Sequence, residues 1–236
     1  MLTIKNLTKV FPNNRGIFDL NLNIERGQIF GFLGRNGSGK TTTLKLISGL
    51  LNSDKGEILF ENKPIEENFE QVMRNVGCMF ESVAHYNGFS AYDNMLFIAR
   101  FFQNVPKSRI DEVLEQVGLL KHKKEKVSTF SLGMRQRLAF AQAMYNKPKL
   151  MLLDEPLNGL DIQGMLEIRS LIKELAANGV TFLISSHLSA EVEKTCTHVA
   201  IIQNGQIIDV TTKDEVLKLY PSVEDYYIKK TSIVNV

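Results

Sequence analysis

Cysteine is scarce in this 236-residue chain, which has two: Cys78 and Cys196, far apart in sequence. That excludes a disulfide framework and a cysteine zinc site, and it fits buried thiols in a reducing compartment. The four histidines show no metal-ligand spacing. No apolar run reaches the roughly 18 residues that a membrane helix needs, although 44% of the residues are apolar, enough for a core. The opening MLTIKNLTKVFPNN lacks the basic-then-apolar layout of a signal peptide. These absences predict a cytoplasmic protein that serves a membrane only through a partner. An excess of one charge is missing too. The net charge is +2, which argues against a dedicated nucleic-acid binder, and the one basic run, Lys121 to Lys126, reads as a solvated loop.

Neither a repeat nor a low-complexity linker interrupts the chain. Leu20, Leu22 and Ile24 alternate with polar residues, and Gly56 to Phe60 is a short apolar run, so an antiparallel sheet is expected near the N-terminus. Four continuous apolar runs follow: Gln28 to Leu33, Val76 to Phe80, Leu150 to Leu153 and Val180 to Ser185. Such runs fit parallel strands covered on both faces. Helical spacing occupies Thr41 to Leu50 and Gly164 to Ala177, and His198 to Ile208 reads as a hairpin around Asn204-Gly205. The stretch from about 82 to 145 is helical in pattern with little strand signal, which predicts a helical subdomain inserted into an α/β core. The domain is expected over 1–215, followed by a C-terminal tail, 216–236, and the pattern after Thr212 suggests one helix and a frayed end.

The run Gly34-Arg35-Asn36-Gly37-Ser38-Gly39-Lys40-Thr41 fits G-x-x-x-x-G-K-[ST]. Glycines let backbone N–H groups turn inward around phosphate oxygens. The following helix, opening at Thr42, adds the positive end of its dipole. In this motif the lysine reaches the β- and γ-phosphates and the Thr41 hydroxyl ligates Mg²⁺. The strand before the loop and the helix after it are the context the motif requires. A second apolar strand ends in Asp154-Glu155. An acid at such a strand end holds Mg²⁺ in phosphate-loop enzymes, and Glu155 beside it suits a general base for water. The expected fold is therefore a P-loop NTPase core of the RecA-like kind, with ATP as substrate and Mg²⁺ as cofactor.

A phosphate loop with a nearby acid serves kinases, GTPases, helicases and transport ATPases alike. The stretch Phe130-Ser131-Leu132-Gly133-Met134-Arg135-Gln136-Arg137 resembles the signature motif of ABC transporter ATPases, usually L-S-G-G-Q-x-Q-R. Asn158-Gly159-Leu160-Asp161 is similar to that family's D-loop. His187 sits where it has a switch histidine, and Phe11 where it stacks an aromatic on adenine. The resemblance runs from about Leu2 to Asp209. It implies two ATPase subunits paired head to tail, in all expectation identical copies, each ATP lying between one phosphate loop and the partner's Ser131, Leu132, Gly133 and Met134. It also implies separate transmembrane permease subunits, which would hold the chain at the inner face of the membrane and handle the cargo.

Three positions depart from the usual family pattern: Leu132 replaces a glycine, Met134 a glutamine, and Glu81 the Q-loop glutamine that helps hold Mg²⁺. Glu81 would offer that cation a charged oxygen in place of a neutral one. Glu81, then Tyr86 and Ser90-Ala91-Tyr92-Asp93-Asn94-Met95, are similar to ATPases of lantibiotic- and bacitracin-type immunity transporters, without the proline that commonly follows Glu-Ser there. The resemblance therefore implies export or membrane removal of a peptide antibiotic. Powering a generic drug, ion or lipid exporter stays open beside it. A third possibility, action on nucleic acid or ribosomes, has no tandem domain, heptad run or cysteine cluster to support it. Retention of Lys40, Asp154, Glu155 and His187 argues against a regulatory binder that does not hydrolyse ATP.

Overall fold

The computed structural model describes residues 1–80, 85–102 and 104–233. In chain order its elements begin with β1 (Leu2–Val10), β2 (Gly16–Ile24), β3 (Ile29–Leu33), α1 (Lys40–Ile47), β4 (Lys55–Phe60), β5 (Lys63–Pro64) and α2 (Phe69–Met73). There follow β6 (Val76–Met79), α3 (Ala91–Ala99), α4 (Arg109–Gln116), α5 (Leu132–Met144), β7 (Leu150–Asp154) and α6 (Ile162–Ala177). The chain closes with β8 (Thr181–Ser186), α7 (Ser189–Thr195), β9 (His198–Gln203), β10 (Gln206–Thr212), α8 (Lys213–Leu219) and α9 (Val223–Ile233).

The four apolar runs become β3, β6, β7 and β8 in one sheet of order β10-β9-β3-β8-β7-β6, where β3, β8 and β7 are central and β6 lies at the edge. All neighbours in it are parallel except β10, which returns antiparallel along β9 through the expected hairpin. Their lack of a polar face has a direct cause. Side chains alternate across a strand, and here each side enters a different core. Ile29, Leu33, Met151, Leu153, Phe182 and Ile184 face a cluster with α5, α6 and α7. Phe30, Phe32, Leu150, Leu152 and Leu183 face a second cluster with α1 and the antiparallel sheet β2-β1-β4-β5. Each such side chain contributes about 1.5–3 kcal/mol of burial. Any charge at these strand positions would therefore damage one core or the other.

β1 is a strand that alternation does not announce. Its register against β2 shifts between Ile4 and Leu7 and again before Lys9, with Asn6 at φ +49°. The buried positions consequently fall at Leu2, Ile4 and Leu7. Such bulges defeat a period-two reading.

α3, α4 and α5 lie between β6 and β7 in sequence, and α5 also packs on β6. The tail holds two helices where one was expected. α8 starts from a capping box of Thr212 and Glu215. α9 packs on α7, burying Val223 and Tyr226 in the main core, and the Val223 N–H donates to Glu193 at 2.9 Å. No described helix is long and apolar enough to cross a membrane. Cys196 is buried and Cys78 half-buried; both are free, and burial pushes each thiol up to about 12.

Candidate active site

β3, β8 and β7 lie side by side and parallel, so their C-terminal ends open on one edge of the sheet. Ligands of parallel α/β sheets bind at that edge. Leu33 pairs in register with Ser186, and Asp154 with Ser185. The loop after β3, the acids ending β7 and the turn after β8 are therefore brought together by strand pairing alone.

The loop from Gly34 to Gly39 links β3 to α1. Gly37 and Gly39 have φ of +79° and +116°, a region that side chains rarely adopt. Arg35, Asn36 and Gly37 are exposed, while Ser38 and Lys40 are buried. Lys40 Nζ donates to the carbonyls of Gly34 (2.7 Å) and Arg35 (3.3 Å), so the ammonium is folded back into its own loop. Thr42, the next residue but one, is half-buried in the first turn of α1.

Asp154 accepts two hydroxyl hydrogen bonds, from Thr41 at 2.8 Å and from Ser185 at 2.5 Å. A hydroxyl and a carboxylate, both hard oxygen donors, fit Mg²⁺. Among the described residues no group of three His, Cys, Asp or Glu side chains could hold a metal. Mg²⁺ commonly takes much of its remaining coordination from phosphate oxygens and water.

Glu155 is the most constrained residue of the site. Its φ is +49°, unusual outside glycine. Its N–H donates to the Ser185 carbonyl (3.3 Å) and hydroxyl (3.1 Å). Its Oε1 lies 2.9 Å from His187 Nδ1 and 3.8 Å from Lys40 Nζ. Among the described residues its buried Oε2 has no hydrogen-bond partner. Burial raises the carboxyl pKa above its ordinary value; His187 and Lys40 pull it down and Asp154 pushes it up, each by less. A carboxyl so raised is a better proton acceptor than a solvated one.

The remaining expected residues divide. Phe11 is half-buried, its N–H closing the β1–β2 turn onto Arg15 O at 2.8 Å. The far side of that turn reaches the phosphate loop, since a Cβ on Gly39 would lie 2.5 Å from Ile17 Cδ1. Ser131 caps α5, accepting from Met134 N–H at 3.2 Å. Leu132 is exposed, whereas Gly133 and Met134 are half-buried. Asp161 caps α6 by accepting from Gly164 N–H at 2.8 Å. Within one chain Ser131 and Asp161 thus serve helix ends. Glu81 lies outside the described residues. Two residues of the site had no role in the sequence reading. Ser185 was legible only as the polar end of an apolar strand, and Gln136 only as part of the signature run.

Fold and site together define a P-loop ATPase. The ABC transporter family model matches residues 17–158. The chain belongs to the ABC transporter family, among its ATP-hydrolysing subunits. It is similar to the bacitracin transport ATP-binding protein BcrA of Bacillus licheniformis, with 40% identity over 90% of this chain and 70% of that protein. It is also similar to the lantibiotic transport ATP-binding protein SrtF of Streptococcus pyogenes, with 39% identity over 88% of this chain and 89% of that one. Among solved structures, a dimeric ATP-binding cassette in a post-hydrolysis state with ADP and Pi superposes with a TM-score of 0.81 at 25% identity, covering 90% of this chain and 99% of that one.

Proposed function

We propose that this ATPase powers the export or membrane removal of a peptide antibiotic, working as a homodimer at the inner face of the membrane beneath separate permease subunits. The likeness to bacitracin- and lantibiotic-transport proteins over most of the chain supports the cargo class. The dimeric relative supports the pair.

The observation that carries the chemistry is the convergence of Lys40 and His187 on Glu155, next to Asp154 at the C-terminal end of β7. Glu155 takes a proton from water as the water oxygen attacks the γ-phosphorus. The bond from that phosphorus to the bridging oxygen breaks, and ADP leaves with the electron pair. Lys40 and the loop amides from Gly34 to Thr41 stabilise charge spread over the phosphoryl oxygens. Thr41 and Asp154 hold Mg²⁺, which neutralises phosphate charge when bound, and Glu81 is proposed as a further ligand. Phe11 stacks on adenine. Ser131 and the Gly133 N–H contact the partner's γ-phosphate, favoured by the free N–H groups at the start of α5, and Leu132, Met134 and Asp161 line the same junction.

Steady-state ATPase rates and peptide-antibiotic survival of cells carrying Glu155→Gln test this reading. Loss of a positioned base costs about 10²–10⁴-fold in rate, and survival should fall with it. Near-normal hydrolysis would overturn the base assignment. Hydrolysis lost with survival unchanged, across bacitracin- and lantibiotic-type peptides, would overturn the cargo class.

A further inference from the structure

The Glu155 backbone is held from two sides. Its N–H is taken by Ser185 on β8. Its carbonyl accepts from Asn158 N–H at 3.2 Å, which closes the local turn, and from the Gln136 side-chain amide, also at 3.2 Å. Only the second of these carbonyl bonds reaches another element. Gln136 is 7% exposed and sits in α5, inside the signature run and somewhat more than one helical turn after its Ser131 cap. A left-handed φ in a residue with a side chain persists only where its surroundings over-determine it. The carboxylate direction depends on that φ.

We propose that Gln136 is a positioning residue. Its amide holds the Glu155 carbonyl so that the carboxylate faces Lys40 and His187, and it ties that carboxylate to the signature helix of the same subunit. This inference rests on the reading of Glu155 as the base. α5 is rigid between Ser131 and Gln136, because its i→i−4 bonds run without a break across one turn. A shift of the Ser131 end therefore moves the Gln136 amide as well. Contact between Ser131 and a nucleotide on the partner subunit is thereby felt at the base of this subunit's own site.

The test is ATPase kinetics with Gln136→Met, which keeps length and loses the donor, and with Gln136→Glu. The kcat of Gln136→Met should fall about 10- to 100-fold, as expected for misplacement of a reacting group. Binding of a fluorescent ATP analogue should stay within a few-fold. In Gln136→Glu the carboxyl donates only when protonated, so its rate relative to the unaltered protein should recover as pH falls, while that of Gln136→Met should not. A double-mutant cycle separates positioning from general damage. Added to Glu155→Gln, Gln136→Met should cost almost nothing more. Wild-type kcat in both Gln136 variants, or full additivity with Glu155→Gln, overturns the proposal. Should Gln136→Met fail to fold, the pH recovery of Gln136→Glu decides alone. If Glu155→Gln itself hydrolyses ATP normally, it is the assignment of the base that has failed.

Discussion

Leu132 lies across Gly159, joining the start of α5 to the turn before α6 of the same chain. A Cβ on Gly159 would stand 2.4 Å from Leu132 Cδ2, and the Gly159 φ is +76°. The leucine that replaces a signature glycine is thus accommodated by a glycine in a different motif. Gly159→Ala should lower stability by about 1–3 kcal/mol, through a clash and a disfavoured backbone. In a Leu132→Ala background the clash is gone, and only the backbone part, about 1 kcal/mol, should remain. Urea unfolding of the four proteins measures both penalties. Equal penalties in the two backgrounds would show that the side chains do not interlock.

His187 acts on the same carboxyl that burial disturbs. Its contact lowers the Glu155 pKa against a larger upward push from burial. His187→Ala removes a lowering influence, so the carboxyl pKa should rise further. A base with a higher pKa is protonated at higher pH, and the acid limb of the kcat/KM profile should move upward. An acid limb at the wild-type position would mean that His187 leaves the Glu155 titration untouched.

The two hydroxyl bonds to Asp154 make a sharp prediction for Asp154→Asn. One amide oxygen can still accept from Thr41 or Ser185, but the other position becomes a donor facing a donor. A charged ligand for Mg²⁺ is lost as well. Turnover should fall by at least about 100-fold, the scale of losing one transition-state electrostatic contact. Titration with nucleotide should show Mg²⁺ strengthening binding less than in the unaltered protein. Retained turnover with a normal Mg²⁺ requirement would remove Asp154 from the metal site.

If the proposed permease partner docks on the helical insert, exposed apolar groups there are expected to carry the contact. Of the bulky residues there, Met95 is buried, while Tyr92, Leu96 and Phe102 pack on the core. Phe89 and Phe101 remain 49% and 75% exposed, and each is a candidate contact for a permease helix. Phe89→Glu and Phe101→Glu should leave the soluble ATPase rate within about twofold, as surface changes usually do. They should reduce recovery of the permease in affinity purification from detergent. Undiminished recovery with both variants would move the docking site elsewhere.

Much of the site could be read directly, because catalysis on phosphate demands residue types at fixed local spacing. Lys40 and Thr41 are adjacent at the start of α1, and Asp154 and Glu155 are adjacent at the end of β7. The central strands were equally legible, since burial on both faces leaves continuous apolar runs such as Ile29–Leu33 and Leu150–Leu153. β1 was not, because two register shifts erase its alternation. The second tail helix was missed because α9 gains its burial from α7, distant in sequence.

What the sequence by itself determined was the family and the parallel core, and it named the candidate reacting groups, all from short-range pattern. Only the tertiary structure decided how those groups meet. Strand order sets β8 between β3 and β7, so Ser185 reaches Asp154, His187 reaches Glu155 and Lys40 turns toward the same carboxylate. It also decided that Gln136 reaches the Glu155 carbonyl and that Leu132 covers Gly159. Such contacts join residues 19 or more positions apart, and they depend on how whole elements pack. No local spacing in a chain encodes that.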